Sequence, residues 1–345
     1  MPTPARVSVR PPGWIAGESA SFEDILGWAQ RAEALGFDGV FFGDRLLSEA
    51  VSDGSPVYAA SMLDVTVLVS AVLARTRRLR VGPLVLVLPF RHPVQLAKTL
   101  ASLQAASGGR LVVGAGLGWN PHEFEVLGVP RSERGARFEE TLTVLRALWS
   151  GERVSHDGRF WSFDDVQIWP SVAADPPPVW MASFSPGSAL DWQGDDFPAT
   201  VHRQLDRVGR LADGWVPLVY SASAKRRLSA EALGAAWTLV QEAAARAGRP
   251  DDSVDLVYSD WVYVLDGPGS EQRCQAALDR FFAGTWEEAR RTYTIGTAQE
   301  VADRIRDHTA CARTTGAVRE YILTPLSDDP HQLDLLAGVA PQLRG

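Results

Sequence analysis

Short apolar runs alternate along this chain with stretches whose apolar residues recur at helical spacing. Arg6–Arg10 alternates apolar and polar residues and stops at Pro11-Pro12-Gly13. Phe22, Ile25, Leu26, Ala29, Ala32 and Leu35 fall on one helical face, with Ser21 placed to cap the start and Gly36 to end it. Asp38–Gly43, Leu79–Leu88, Arg110–Gly114, Val179–Ser183, Gly214–Leu218, Leu256–Leu265 and Glu320–Thr324 read as strands, most of them apolar on both faces. Between them the spacing predicts helices over Asp64–Leu73, Val94–Ala106, Arg134–Trp149, Ala199–Leu211, Ser229–Ala247, Glu271–Ala283 and Ala298–Ala312.

Eight apolar strands, each followed by a helix, mean a parallel sheet covered by helices. Eight such units favour one closed (β/α)8 TIM barrel over an open sheet, so the expected fold is α/β, one barrel domain over residues 1–345. Two segments depart from the rhythm. Glu152–Pro170, within 151–178, reads as an inserted hairpin, and 184–212 as an inserted loop and helix near the active face. In such a barrel the chemistry sits on the loops after the strands, which directs attention to Pro11–Trp14, Asp44-Arg45, Arg91-His92-Pro93, Gly116–Asn120, Phe184–Ser188, Val219–Lys225, Asp260-Trp261 and Thr324-Pro325.

Composition narrows the classes. Hydrophobic residues make 46% and charged residues 22% of 345, which excludes disordered, collagen-like and coiled-coil chains. A net charge of −8 argues against a nucleic-acid partner. Cys274 and Cys311 form no C-x-x-C, which leaves no disulfide framework or structural zinc site to expect. The first ten residues lack the apolar core of a signal peptide. The longest apolar stretch, Val81–Phe90, is too short for a bilayer and contains Gly82, Pro83 and Pro89. The expectation is a cytoplasmic protein with no membrane partner. Of the 34 basic residues only Lys98 and Lys225 are lysine, which fits a genome rich in G and C.

The motifs are selective. Gly114-Ala115-Gly116-Leu117-Gly118 is not G-x-G-x-x-G; its glycines either let a flat ring lie against the backbone or make a tight turn. His92, His122, His156, His202, His308 and His331 show no metal-ligand spacing, and no metal is expected. His92 and His122 lie on active-face loops but read first as structural hydrogen-bonders; His308 and His331, on helices, read as solvated. Lys225, Arg226 and Arg227 stand at the start of a predicted helix and read either as an anion site, where an anion would offset their unfavourable position, or as a solvated charge run; Ser183, Ser185 and Ser188, with Gly187, are a second candidate anion nest. Twelve tryptophans are present; Trp14, Trp119, Trp215 and Trp261 sit at strand ends, either lining a pocket or packing the barrel.

Ala29–Asp44, Arg77–Lys98 and Ser107–Glu140 closely resemble the luciferase-like flavin- and deazaflavin-dependent oxidoreductases, and Asp213-Gly214-Trp215 and Ile295–Val301 fit the later signatures of that family. The resemblance implies a (β/α)8 barrel binding coenzyme F420 or FMN. It implies a bulge with a non-proline cis peptide at Leu84 and Val85 behind the ring, and a bordering loop at Gly116, Leu117 and Gly118. It places the phosphate tail toward Ser183, Ser185, Ser188, Lys225 and Arg226, and the substrate beside Asp44, Arg45, Trp14 and Asn120. Leu117 stands where FMN members often carry an Arg, and the strings Leu86–Pro93 and Gly118–Pro130 are most similar to the actinobacterial deazaflavin branch, so F420 is favoured over FMN. Two departures stand out. Asp44-Arg45 replaces a usual Asp-His, and Arg cannot serve as a general base near neutral pH, so Arg45 is assigned to binding an anionic substrate or stabilising developing negative charge. Ala182-Ser183 replaces a usual Gly-Gly, and Asp191–Val208 has no family counterpart. The implied activity is hydride transfer between F420 and a small organic substrate by a homodimer. The alternatives are an FMNH2-dependent monooxygenase served by a separate flavin reductase, and a barrel that only binds.

Overall fold

The computed structural model describes residues 4–13, 20–47, 62–183, 197–221, 225–310, 312 and 318–344. Trp14, Ser185 and Ser188 lie outside them, as do residues 191–196 of the expected insertion. The element order is that of a (β/α)8 barrel with additions: β1 (Arg6–Val9), α1 (Phe22–Ala34), β2 (Gly39–Phe42), α2 (Val65–Arg75), β3 (Arg80–Pro83), β4 (Leu86–Val87), α3 (Pro93–Ser107), β5 (Val113–Gly116), α4 (Pro121–Val126), α5 (Arg134–Trp149), β6 (Val154–Asp157), β7 (Ser162–Val166) and β8 (Val179–Ala182). There follow α6 (Ala199–Leu211), β9 (Gly214–Val216), β10 (Tyr220–Ser221), β11 (Arg226–Arg227), α7 (Ala230–Arg246), β12 (Asp255–Val264), α8 (Ser270–Leu278), α9 (Trp286–Thr292), β13 (Thr294–Gly296), α10 (Ala298–Thr309), β14 (Val318–Pro325) and α11 (Pro330–Arg344). No helix among the described residues is long and apolar enough to cross a membrane.

Contacts divide the chain into two compact units. The first holds Met1–Phe41, Ser48–Met62 and Trp180–Gly345. In it β1 runs parallel between β14 (Val7 beside Tyr321) and β2 (Ser8 beside Gly39). β12 lies parallel to β14, β9 and β13, and β9 to β8. Val7, Val9, Leu256, Val257, Ile322 and Leu323 are buried, which is why these strands read as apolar on both faces. Ser21 and Asp24 close a capping box at the start of α1. α6 reaches α7 closely because Gly209 has no side chain; a Cβ there would stand 2.5 Å from the Ala243 Cβ.

The second unit holds Phe42–Leu47 and Leu63–Val179. Here Leu79–Leu88 is not one strand. β3 ends at Pro83, the Leu84–Val85 peptide is cis, β4 follows, and Leu88–Phe90 is a single 3-10 turn. Pro83 and Pro89 have no N–H to give to a neighbouring strand, so an unbroken ladder was unavailable. The predicted strand at Arg110–Gly114 begins later, at Val113. The Arg110 side chain turns back instead, donating to the carbonyls of Leu73 (2.8 Å) and Leu79 (3.0 Å).

β6 and β7 form an antiparallel hairpin on α5. The Glu140 carboxylate holds it, accepting from the backbone N–H of Arg159 (3.1 Å), Phe160 (3.0 Å) and Trp161 (2.9 Å). Burial pulls the Glu140 pKa up, but the Phe160 and Trp161 N–H groups outweigh it and the net shift is downward. The Arg137 guanidinium lies 4.4 Å from the centre of the Phe160 ring.

β5 lies against the β3–β4 step at glycine distance. A Cβ on Gly114 would stand 2.4 Å from the Pro83 carbonyl oxygen, and one on Gly116 2.3 Å from Val85 Cγ2. Gly338 in α11, by contrast, has nothing within 4 Å of where a Cβ would stand. Gly114→Ala is therefore expected to destabilise the chain by about 1–3 kcal/mol through overpacking against backbone. Gly338→Ala is expected to stabilise it by about 0.5–1 kcal/mol through helix propensity. Urea midpoints of the two variants against wild type measure both.

Candidate functional site

In the second unit, the residues following β2, β4 and β5 meet around a pocket of about 160 Å³ lined by Asp44, Arg45, Leu46, Val87, Phe90, Arg91, Glu123 and Leu127. Asp44 organises it. Its carboxylate accepts from Arg91 Nη1 (2.7 Å, on Oδ2) and Nη2 (3.0 Å, on Oδ1), and from the Val87 N–H at 2.9 Å. Arg91 Nη1 also donates to the Val87 carbonyl at 3.1 Å. With its side chain 6% exposed, Asp44 is a buried clamp with both oxygens taken rather than a group open to substrate. Arg45 lines the pocket and sends Nε to the Leu47 carbonyl at 2.7 Å.

Glu123 sits in the first turn of α4 and is 4% exposed. Its Oε1 accepts from the N–H groups of Leu46 (2.9 Å) and Leu47 (3.1 Å), which fixes the segment carrying Arg45. Asn120 is buried at the start of the same helix and accepts from the His122 N–H at 3.1 Å. It positions the helix and is not among the pocket-lining residues. Phe90 and Phe124 meet edge to face at 4.7 Å behind the pocket.

The glycine loop has a packing explanation: Gly116 meets Val85, and Gly118, at φ +76, would carry a Cβ 2.8 Å from Val87 Cγ1. Leu117 is half-buried. The Gly118 carbonyl accepts from Arg134 Nη1 at 3.1 Å. His92 caps α3, its Nδ1 accepting from the Val94 N–H at 3.3 Å, and packs on Trp161. Trp119 is exposed.

In the first unit, Lys225 and Arg226 lie outside the helix: Lys225 has φ +49 between β10 and β11, Arg226 is in β11, and α7 begins where the spacing predicted, capped by Ser229. Ser229 takes the capping position because its hydroxyl accepts from the Ala232 N–H, which the basic side chains could not do. Lys225 Nζ reaches Glu288 Oε2 at 3.2 Å, and Arg226 is exposed. Ser183 ends β8. Its hydroxyl oxygen is buried without a hydrogen-bond partner among the described residues, and its carbonyl accepts from Trp215 Nε1 at 3.1 Å. Trp215 is buried and stacks on Trp237 at 6.0 Å; Trp261 is buried against Tyr293 at 5.7 Å. Both are packing residues.

A buried polar network in this unit escaped sequence reading. Arg227 pairs with Asp260 through both carboxylate oxygens and donates to Tyr258 Oη, and Thr294 Oγ1 donates to Asp260 Oδ2 at 2.8 Å. Tyr258 Oη lies 2.7 Å from His308 Nδ1, and His308 Nε2 lies 2.7 Å from the Leu228 carbonyl. A carbonyl can only accept, so Nε2 carries the proton and Nδ1 receives the tyrosyl O–H. His308 is thus buried, not solvated as its helical position implied. Burial first, and the nearby Arg227 charge second, push its pKa down to about 4. Burial raises the Tyr258 pKa. Burial opposes the Arg227 charge, but Asp260 and Tyr258 outweigh it. The one sequence signal was Asp260, a lone acid inside an apolar strand. For Glu123 it was an acid in the first turn of a short helix. Among the described residues no cluster of metal-ligating side chains occurs.

The sequence profile of the luciferase-like monooxygenase family matches residues 5–195. An F420-dependent glucose-6-phosphate dehydrogenase of Intrasporangium calvum is 31% identical over 96% of this chain and 98% of the relative. An uncharacterized protein of Mycobacterium tuberculosis is 34% identical over 45% of this chain and 49% of that protein, so the match spans about half the length of that relative. Among solved structures, an F420-dependent secondary alcohol dehydrogenase with an F420–acetone adduct superposes with a TM-score of 0.75 and 18% identity, over 99% of this chain and 100% of that one. The monooxygenase RslO1 of Streptomyces bottropensis gives 0.74 and 24%, over 96% and 97%. The two structural likenesses, both under 25% identical, show the (β/α)8 barrel fold.

Two outcomes are expected. Asp44→Asn leaves Arg91 without its charged partner and lowers stability by about 1–3 kcal/mol, measured by chemical denaturation at pH 7. The second concerns pH. His308 is neutral when folded, with a pKa of about 4 against 6.5 unfolded, so its contribution is full above pH 6.5 and is lost as pH falls toward 4. The loss is about 3 kcal/mol over that window. His308→Gln is expected to remove that part of the stability decline, read as the difference between wild-type and variant unfolding curves at pH 7 and pH 4.5.

Proposed function

The chain belongs to the luciferase-like monooxygenase family, and from that membership we propose that it is an F420-dependent oxidoreductase transferring a hydride between the deazaflavin and a small organic substrate. The observation that carries this reading is the near full-length relation to an F420-dependent dehydrogenase, 31% identical over 96% of the chain. The cofactor, when bound, supplies two-electron hydride chemistry; the chain supplies placement and electrostatics.

The donor set fits a phosphate-bearing flavin or deazaflavin. The buried Ser183 hydroxyl, partnerless among the described residues, supplies a donor suited to a phosphate oxygen. Lys225 and Arg226, with Ser185 and Ser188, complete the proposed anion-binding set. Leu84, Val85, Gly116, Leu117 and Gly118 form the proposed bed for the ring. Asp44 holds the pocket in register, and Arg45 faces the substrate with a fixed positive charge. Leu117, an apolar residue in the glycine loop, supports the deazaflavin over FMN. We propose a cytoplasmic homodimer as the working form.

Fluorescence titration of the purified protein tests the reading. Saturable binding of F420, with FMN ignored, supports it. Saturable FMN binding with oxygen consumption would replace it with a monooxygenase served by a flavin reductase. Binding of neither would leave a barrel that only binds. Arg45→Ala is expected to lower turnover by about 10²-fold while the F420 dissociation constant stays within about twofold. A change confined to cofactor affinity would remove the role given to Arg45.

A further inference from the structure

A short hairpin carries Lys225 and Arg226, two of the residues assigned to the cofactor phosphate, and the barrel sheet does not hold it. β10 and β11 form a sheet of their own with two paired positions, Tyr220 beside Arg227 and Ser221 beside Arg226. A two-stranded ribbon of that length is not stable by itself in water. Side chains set its place in the first unit. Tyr220 rests on the Trp261 and Tyr293 rings at 5.1 and 5.4 Å. Arg227 crosses to β12 and gives both terminal nitrogens to the Asp260 carboxylate, Nη1 at 3.0 Å. His308 of α10 holds the next residue, donating from Nε2 to the Leu228 carbonyl at 2.7 Å.

We infer that Asp260 is a positioning residue: by gripping Arg227 it fixes the β10–β11 hairpin on β12, and so holds the Lys225-Arg226 turn in place for the phosphate of a bound deazaflavin. The inference rests on the F420 reading for its ligand. Asp260 is fully buried, and its other contacts aim it. The Trp261 N–H donates to Oδ1 and Thr294 Oγ1 to Oδ2, both at 2.8 Å, which leaves the carboxylate one orientation in which to receive the guanidinium. Apolar residues of similar size could fill the same space without the cost of burying two charges. They would let a two-residue ribbon slide on the barrel, whereas a paired Arg–carboxylate contact has a single geometry. The same network reaches the residue after Arg227. Arg227 donates to Tyr258 Oη, Tyr258 donates to His308 Nδ1, and His308 holds Leu228. Lys225 and Arg226 directly precede these anchors, so a shift of β11 moves both. The Lys225–Glu288 pair lies at the half-exposed edge, where an ion pair yields to another anion at little cost. Asp260, not Glu288, therefore sets where the turn stands.

Fluorescence titration compares F420 with the phosphate-free deazaflavin riboside, which has the same ring. Wild type is expected to bind F420 at least about tenfold more tightly, and Lys225→Ala with Arg226→Ala to erase that preference. Equal affinities in wild type, binding of neither compound, or a preference unchanged in that double variant removes the anion role of the hairpin, and the inference with it. Asp260→Asn is expected to cut the preference about tenfold while affinity for the riboside stays within about twofold. Because Asp260→Asn strands the Arg227 charge, a joint variant, Arg227→Met with Asp260→Leu, repeats the measurement with the pair replaced by apolar residues of similar size. In the ligand-free protein the Leu228 amide donates to the Val219 carbonyl at 2.9 Å. Its hydrogen exchange is expected to be about tenfold faster in the joint variant, with the β12 amides within about twofold of wild type. An equal loss for both ligands (unfolding of the joint variant included), a full preference for F420 in the joint variant, or unchanged Leu228 exchange overturns the inference and leaves the F420 reading standing.

Discussion

The second unit is organised around one carboxylate. Asp44 follows β2 with both oxygens committed: a paired grip on the Arg91 guanidinium, and one N–H at Val87. Those contacts tie together chain segments separated by more than forty residues, and they do so at the place where the strand ladder is weakest. Pro83 and Pro89 deny β3–β4 the backbone donors that would otherwise fix the segment. A charge-assisted bond at 2.7 Å replaces part of what the ladder cannot give. Because the Asp44 side chain is only 6% exposed, solvent does little to screen this contact. Arg45 and Leu46 follow directly, so the direction of the pocket-lining segment is set by the residue before it.

Glu123 secures the other end of that segment. It gives Oε1 to the N–H groups of Leu46 and Leu47, groups that no strand partner satisfies. The helix that presents it is six residues long and depends on Asn120 to satisfy its first turn. Asn120 therefore acts on the pocket at one remove. The first unit solves a similar problem with a different set of groups. Arg227, Asp260, Tyr258 and Thr294 satisfy one another in a site from which water is excluded, and His308 closes the chain of hydrogen bonds as a neutral ring. Each member would be costly alone; together they fix β11 against β12 and α10.

The barrel class was legible because eight apolar runs leave little room for another arrangement, and the start of α1 followed from Ser21 doing what its chemistry favours. Asp44 and Arg45 were legible as pocket-lining residues because they follow a predicted strand. What they do there was only half legible. A carboxylate at a strand end reads equally as catalyst or clamp, and only the position of Arg91, forty-seven residues away, decides between them. His308 was misread for a related reason: a helical position says nothing about which face is covered until β11 and β12 are in place. The helix start at Ser229 was legible, but the short strand at Arg226-Arg227 before it was not, since its pairing with Tyr220-Ser221 is not written in two arginines.

Arg45 changes what the rest of the pocket must supply. A histidine at that position could move a proton near neutral pH; an arginine cannot, since its guanidinium stays charged throughout. Arg45 beside the Asp44–Arg91 clamp therefore gives the pocket wall a permanent positive charge. Such a charge is useful only beside something negative. The buried position of Glu123 sharpens the point, because a carboxylate that is 4% exposed is costly unless its charge is used or neutralised. Two backbone N–H groups, of Leu46 and Leu47, meet one of its oxygens, so the Glu123 charge is used to hold the segment that carries Arg45.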